Sequence, residues 1–326
     1  MRHVSPTSRF LAFTVGALGA VAVATPRAHS AETAPATERF SFVALGCMPY
    51  GEANYPAFER LLSEINRRAP AFTVHCGDLH SGSEKPTDAF HTRMRAWFDQ
   101  LDHAVMYTPG DNEWTDVHKT HSNPAEWLAK IREGYFREER SLGRRPIPLT
   151  TQRRMPGFEK FVENARWSRG GVVFATVHVV GSGNNFPPVV PGAQEEFRER
   201  DRANEAWLRG VFAEAKRTQA KAIALFFQAQ PNFGPGFTTF LATIESEARA
   251  FAKPVLLVHA DGHRYLNERT FAFTAKGTPL PNVSRVETFG AGDIHAVQVV
   301  VDPDSRNVFL AGPLIVPGNA LPVLSK

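Results

Sequence analysis

With 326 residues, of which 43% are hydrophobic and 21% charged, the chain has the composition of one large α/β domain or two ordinary ones, which excludes a disordered protein. Its formal net charge is +4, from 37 basic and 33 acidic residues, and three of the basic ones (Arg2, Arg9 and Arg27) lie in an acid-free leader. The remainder is near neutral and its basic runs are short pieces such as "RSLGRR", so nucleic-acid binding by counterion release is not indicated, whereas a small anionic substrate remains open.

Taken in chain order, the first feature is an apolar stretch from Phe10 to Ala24 behind Arg2 and Arg9, followed by "PRAHS" with Ala28 and Ser30 at small-residue spacing. This is the layout of a signal peptide cut after Ser30, and the stretch is shorter than the roughly 20 residues needed to span a bilayer. We therefore expect a signal peptide over 1–30, a flexible Ala/Thr/Pro-rich lead-in over 31–39 and one domain over 40–326. Such a protein is periplasmic or secreted, with no transmembrane anchor after signal removal.

"RFSFVALG" reads as a buried strand, and "PAFERLLSEINRRA" as a helix with Phe58, Leu61, Leu62 and Ile65 on one face. The pair recurs as "AFTVHCG" and "PTDAFHTRMRAWFDQL", then as "HAVMYTPG" and a helix that Pro124 can open. From Arg140 to Pro156 the Arg- and Pro-rich chain reads as a surface excursion. Beyond it come the strand "GVVFATVHVVG", a long helix with Trp207, Leu208, Val211, Phe212 and Ala215 on one face, the strand "KAIALFFQ", a helix and the strand "KPVLLVHA". Three β-like stretches, "VSRVETFG", "HAVQVVVD" and "NVFLAGPL", end the chain. The rhythm predicts an α/β fold with a mainly parallel sheet, onto which the C-terminal strands pack as a second sheet.

In such folds ligands sit beyond the carboxyl ends of the strands. Cys47, Pro49 and Tyr50 follow the first strand, Asp78 and His80 the second, and Asp111, Asn112, Glu113 and Asp116 the third. Asn184 and Asn185, then Gln228, Gln230 and Asn232, and finally His259, Asp261 and His263 follow the later ones. Each alone suits a turn or a satisfied core position. Clustered, Asp, Asn and His suit a divalent metal that lowers the pKa of bound water, and hydrolysis of a phosphate ester is its natural use.

"FVALGCMPYG", "GDLHSGS", "PGDNEWTD" and "VHADGHRY" occur in an order that resembles the calcineurin-like metallophosphoesterase family. That family carries Asp-x-His, Gly-Asp-x-x-Asp, Gly-Asn-His-Asp/Glu, a later His and Gly-His-x-His; the chain looks like a variant branch with Gly-Asp-Met-Pro-Tyr-like and Gly-Asp-Asn-Glu-Trp-Thr-Asp motifs. The resemblance implies a sandwich of two mixed β-sheets flanked by helices. It also implies a phosphoesterase that hydrolyses a phosphate mono- or diester of a small phosphorylated substrate by a metal-bound hydroxide, and the leader would make it an exported one. By this correspondence Asp78 is the bridging aspartate, Asn112 the motif asparagine and His263 the last histidine. Cys47 stands for the first-motif aspartate, Pro49 for its histidine, Glu113 for the third-motif histidine, Gln228 for the middle histidine, Asp261 for the first histidine of the closing pair and Ser81 for the second aspartate of Gly-Asp-x-x-Asp.

The implied ligands of a divalent metal (Mn, Mg, Fe or Zn) are Asp78, Asn112, Asp261, His263, His259 and Cys47. Asn112, Glu113 and His263 are the implied catalytic groups, with Glu113 as general acid. Tyr50, Asn112 and His80 are the implied substrate contacts, and Tyr50 and Trp114 are read as exposed aromatics at a pocket. Because the two-metal set is incomplete, a non-catalytic pseudoenzyme or binding protein on the same fold is the alternative. Cys47 and Cys76 end neighbouring strands about 4.8 Å apart, which leaves open two free thiols, a disulfide, or Cys47 as a thiolate ligand.

Overall fold

The computed structural model describes residues 38–274 and 276–320, so the leader and most of the lead-in fall outside the described residues. In chain order the elements are β1 (Phe40–Leu45), α1 (Tyr55–Arg68), β2 (Phe72–His75), α2 (Asp88–Phe98), β3 (Ala104–Tyr107), α3 (Pro124–Tyr135), β4 (Thr150–Thr151), β5 (Ala165–Arg169) and β6 (Val172–Thr176). There follow α4 (Gly181–Asn184), α5 (Ala193–Arg217), β7 (Ala222–Phe226), α6 (Thr238–Phe251), β8 (Val255–His259), β9 (Leu266–Glu268), β10 (Val283–Glu287), β11 (Ala296–Val301) and β12 (Phe309–Leu314). The helices start where local chemistry satisfies their first N–H groups: Thr87 caps α2 through Phe90 N, and Asn123 caps α3 through Ala125 N with Pro124 in the first turn.

Two mixed sheets result, one of five strands in the order β12-β11-β1-β2-β3 and one of seven in the order β4-β5-β6-β7-β8-β10-β9. β1, β2 and β3 run parallel, as do β6, β7, β8 and β10. The C-terminal strands differ from the sequence expectation, because they do not form a sheet of their own. β11 and β12 extend the first sheet antiparallel beside β1, whereas β10 joins the second sheet parallel to β8. The second sheet is instead built mostly from the middle of the chain. Hydropathy cannot distinguish these outcomes, since an apolar strand carries no label for its neighbour. The excursion from Arg140 is also more ordered than expected: Leu142 exchanges both backbone hydrogen bonds with Val105, covering the β3 edge, and Thr150–Thr151 pairs with β5.

Period-two alternation decides which face each side chain takes. Val172, Phe174, Ala222, Ala224, Phe226, Leu256 and Val258 turn into the space between the sheets. Their neighbours Val173, Ala175, Ile223, Leu225, Val255 and Leu257 turn to the helix side, where they join Trp207, Leu208, Val211 and Phe212 of α5 and Phe240 and Ile244 of α6. At the centre of the sandwich an aromatic group crosses from sheet to sheet. Phe72 lies 5.0 Å from Phe174 and 5.4 Å from Trp167, Phe42 stacks on Phe72 at 5.1 Å, and Trp167 stacks on Phe174 and Phe226 at 5.6 and 5.8 Å. Trp167 comes from β5, a strand that the polar "ARWSR" pattern hid.

Because Phe174 touches both sheets, Phe174→Ala is expected to lower the unfolding free energy by about 3–5 kcal/mol, measured by denaturant titration. A loss below about 1 kcal/mol would show that the sandwich does not depend on this contact.

Candidate metal centre

The parallel strands of the two sheets end at one place, and backbone contacts fix how closely. A Cβ added to Gly46 would lie 2.6 Å from the Cβ of Ala260, and one added to Gly110 would lie 2.1 Å from Asp78 Oδ1. Only glycine lets the loop after β3 come that near to Asp78.

Asp78 is buried after β2 in left-handed backbone, φ 57°. Its Oδ2 accepts from Gln228 Nε2 at 3.0 Å and from the Tyr50 hydroxyl at 3.2 Å, and Cys47 Sγ donates to it at 3.4 Å. Its Oδ1 accepts from the Asn112 backbone N–H at 3.2 Å. Around this carboxylate two groups of ligand atoms form, Cys47 with Asp78 and His263, and Asp78 with Asp111 and Asp261; within each group the atoms lie within 4.8 Å of one another. Tyr50 Oη accepts from Asn112 Nδ2 at 3.0 Å and stands 3.4 Å from His263 Nε2. The Asp261 backbone N–H donates to Cys47 Sγ at 3.1 Å, which ties the loop after β8 to the end of β1. Ser182, in the left-handed turn after β6, places its Oγ 2.7 Å from Asp111 Oδ2 and 2.8 Å from Asp116 Oδ1.

A cavity of about 450 Å³ opens over these groups, lined by Tyr50, Asp78, Asn112, Lys119, Asp261 and His263 among others. Burial raises the Asp78 carboxyl well above its usual range, and the charges of Asp111, Glu113 and Asp261 push in the same direction. Burial likewise pushes Asp111 up to about 7, aided by Asp261 and Asp116, and raises Asp261. The Cys47 thiol and Tyr50 hydroxyl are pushed up, first by burial and then by Asp78. His263 is lowered by burial against the opposing pull of Asp261. Three crowded carboxylates thus converge where Asp78 is met by neutral donors, and Asp111 Oδ1 is buried with no hydrogen-bond partner. A divalent cation completes such a donor set, so the residues present fit a metal.

Of the ligands expected from sequence, Cys47, Asp78, Asp261 and His263 are brought together. Asn112 lines the cavity but meets Asp78 through its backbone and Tyr50 through its amide. His259 is not drawn into either group: its ring stacks on Phe227 at 5.6 Å and its Nδ1 faces Ala260 O. His80 is buried, packs edge-on against Phe90 and bonds Ser81 O through Nδ1, off the cavity lining. Glu113 is turned away from the general-acid role. Its carboxylate, fully buried, accepts from Leu79 N, Tyr107 Oη and Gly110 N at 2.9, 3.0 and 3.1 Å, so it clamps the loops after β2 and β3 together. Trp114 is buried, not exposed, with the Arg200 guanidinium 5.3 Å from its ring centre. Both cysteines are free thiols, so no disulfide joins them.

Asp111, which the ligand set expected from sequence left out, joins Asp78 and Asp261 in the second group. Counted from Gly110, the third motif places Asp111 at the asparagine of Gly-Asn-His-Asp/Glu and Glu113 at its acid. That count, one residue earlier than the one anchored on Asn112, agrees with the placement of Asp111 beside Asp78 and of Glu113 against the backbone of both loops.

Asp111 also yields a test of the charge crowding. Its folded pKa lies above the unfolded value of about 3.9, so the folded state holds the extra proton between the two and loses stability as pH rises through that window. Metal-free Asp111→Asn is therefore expected to melt at a higher temperature than the metal-free parent at about pH 8, with the gap closing toward about pH 4. Saturating Mn²⁺ should reverse the order. Equal melting temperatures without metal at the higher pH would contradict the crowding.

The family model of calcineurin-like phosphoesterases matches residues 40–239, more than half of the chain. Among solved structures, PhoD superposes with a TM-score of 0.51 at 11% identity, over 81% of this chain and 64% of that one. Purple acid phosphatase PPD1 from yellow lupin (Lupinus luteus) seeds superposes with a TM-score of 0.52 at 13% identity, over 87% of this chain and 53% of that one. The chain thus spans less than two thirds of either structure, and at these identities the likeness is one of fold. No curated protein matches it. The family match runs from β1 into α6 and takes in the loops that carry Cys47, Asp78, Asp111 and Gln228, and on that ground the chain belongs to the calcineurin-like phosphoesterases, a family of metal-dependent hydrolases of phosphoester bonds.

Proposed function

We propose that the chain is an exported phosphoesterase that hydrolyses a small phosphate mono- or diester in the cavity above Asp78, with Cys47 and Pro49 in a first motif that departs from Asp-x-His. The observation that carries this reading is the convergence of two ligand groups on one buried carboxylate beneath an open cavity. The fold likeness to a purple acid phosphatase supports a phosphate ester as the substrate class. Export rests on the leader over 1–30, and the catalytic domain is taken as 40–326. Among the described residues no helix is long and apolar enough to cross a membrane.

Cys47, Asp78 and His263 on one side, and Asp78, Asp111 and Asp261 on the other, are the residues that would hold metal. Divalent ions supplied there neutralise the carboxylates, polarise a phosphate oxygen and lower the pKa of a coordinated water. The remaining work falls to the chain. Asn112 aligns Tyr50 through its amide, and both line the cavity where an ester oxygen would lie. The Lys119 ammonium, 2.6 Å from Asp116 at the same cavity, is placed to meet phosphate charge. Glu113 acts as a positioning residue, because its three accepted hydrogen bonds hold the Asp78 and Asp111 loops in register. Ser182 steadies Asp111 from the other sheet. The replacements at Cys47 and Pro49 favour one rival reading, a binding protein that keeps the site without turnover.

Hydrolysis of p-nitrophenyl phosphate and bis(p-nitrophenyl) phosphate by the mature chain should require added divalent metal and vanish with chelator. Asp78→Asn should lower kcat/KM by at least about 100-fold. Stoichiometric metal with no turnover of either ester would instead establish the binding-protein reading.

A further inference from the structure

The end of the sandwich opposite to Asp78 carries a cavity of its own, about 540 Å³ in volume, within the usual range for a small-molecule site. Phe72, at the start of β2, and Trp167, near the end of β5, both line it, and they form the ring pair at 5.4 Å that joins the first sheet to the second. β5 runs antiparallel to β6 with Arg169 opposite Val172, so its end lies at the start of β6, away from the Ser182 turn. The opening follows from where β4 stops. β4 pairs with β5 only as far as Thr150 opposite Arg166, and before Thr150 the chain turns to another partner, with Leu149 N bonded to Glu139 O and Ser141 N to Ile147 O. Trp167 to Arg169 are therefore left without a strand on their outer side among the described residues, and Ile147 and Leu149 line the gap beside them.

The charges around this gap do not balance. Three arginines line it, Arg154, Arg166 and Arg169, against one carboxylate, Glu214. Arg154 is taken by Glu139, and Glu214 accepts from Arg217 at both oxygens. Among the described residues no ion pair forms at Arg166 or Arg169. Instead Arg166 donates to Gly210 O at 3.3 Å with its guanidinium 5.7 Å from the Trp207 ring centre, and Arg169 lies 5.2 Å from the ring centre of Phe40. These aromatic contacts steady both guanidinium groups without neutralising them. Trp167 adds a buried indole N–H that has no acceptor. Charged residues on an open strand edge also discourage pairing with another chain, but that role calls for neither an aromatic floor nor a cavity of this size.

We propose that this cavity is a second ligand site, which takes a small organic anion with an aromatic body. The anionic group meets Arg166 and Arg169, and the body lies on the apolar floor of Ile147, Leu149 and Trp167. A ligand seated there touches both sheets, so its binding stabilises the folded sandwich by mass action. No residue of the metal centre takes part, and the site stands or falls independently of ester hydrolysis.

The test is isothermal titration calorimetry of the mature chain with 1-naphthoate, beside the neutral 1-naphthamide and acetate, which lacks the aromatic body. One equivalent of naphthoate should bind, with naphthamide and acetate each at least about 10-fold weaker. Arg166→Gln and Arg169→Gln should each weaken naphthoate binding about 10-fold, and the double variant should abolish it. Arg144→Gln, whose guanidinium pairs with Asp102 outside the cavity, and Asp78→Asn should leave the affinity unchanged. Naphthoate should raise the melting temperature of the parent and not that of the double variant, and circular dichroism confirms that each variant is folded. No saturable binding up to about 1 mM, equal affinity for naphthamide, or binding untouched by the double substitution would each overturn the proposal. Loss of binding in Asp78→Asn would overturn it as well, by placing the anion at the metal centre.

Discussion

Asp78 receives hydrogen bonds from a thiol, a phenol, a carboxamide and a backbone N–H, all of them neutral, while two further carboxylates, one buried and one partly buried, crowd against it at the floor of the cavity. Burying one unpaired carboxylate is already costly, and three at one point are sustained only by protonation or by a cation. The loops that carry these groups hold a charge arrangement that the protein alone leaves incomplete. The rest of the site follows from that constraint. Ser182 reaches across to Asp111 and Asp116, Lys119 pairs with Asp116 at the rim, and Glu113 is kept off the cluster by donors of its own.

The backbone is strained at the same point. Cys47, Asp78, Asp261 and His263 all adopt positive φ, between 54° and 74°, a region that costs non-glycine residues of order 1–3 kcal/mol each. Each lies two to four residues past a strand end, where the chain must turn sharply while still aiming a side chain into the site. Glycine would relax the turn but supply no ligand. The strain is tolerated because the sandwich beneath is over-determined: Phe42, Phe72, Trp167, Phe174 and Phe226 lock the two sheets, and the strand ends have no freedom to drift apart. A second buried network stiffens the far wall. Burial alone would raise Glu163, but the Arg132 charge and the His178 ring outweigh it and hold the carboxyl below its usual range, while Arg200 ties the His178 carbonyl to the turn at Asn184. Rigidity near a metal centre matters because ligand atoms displaced by even a fraction of an ångström lose coordination geometry.

Much of this was legible along the chain. Apolar periodicity located β1, β2, β3, β6, β7 and β8, and placed Phe58, Leu61, Leu62 and Ile65 of α1 and the Trp207-to-Ala215 stripe of α5 on buried faces. The polar residues at strand ends marked Cys47, Asp78, Asp261 and His263 before any geometry was known. The misses have common causes. β5 was hidden because polar Arg166, Ser168 and Arg169 surround its one tryptophan, and β9 because three residues carry no period. His259 and Glu113 were drawn toward the site by sequence proximity, yet alternation turned His259 onto Phe227 and local backbone donors captured Glu113.

By itself, then, the sequence determined which segments are strands and helices, which of their faces are buried and which chemistry-bearing residues fall at strand ends, because these depend on periodicity and turn preference over a few residues. The tertiary structure decided which of those residues meet. Whether Asp111 or Asn112 faces the cluster, whether Cys47 finds Cys76 or His263, and whether the last strands found a new sheet or complete the old ones all depend on φ angles at single turns and on contacts between segments far apart in the chain, as between Cys47 and Asp261 or Phe40 and Val301. Sequence spacing is blind to both, since a one-residue change of register or one left-handed turn redirects a side chain without altering the pattern around it.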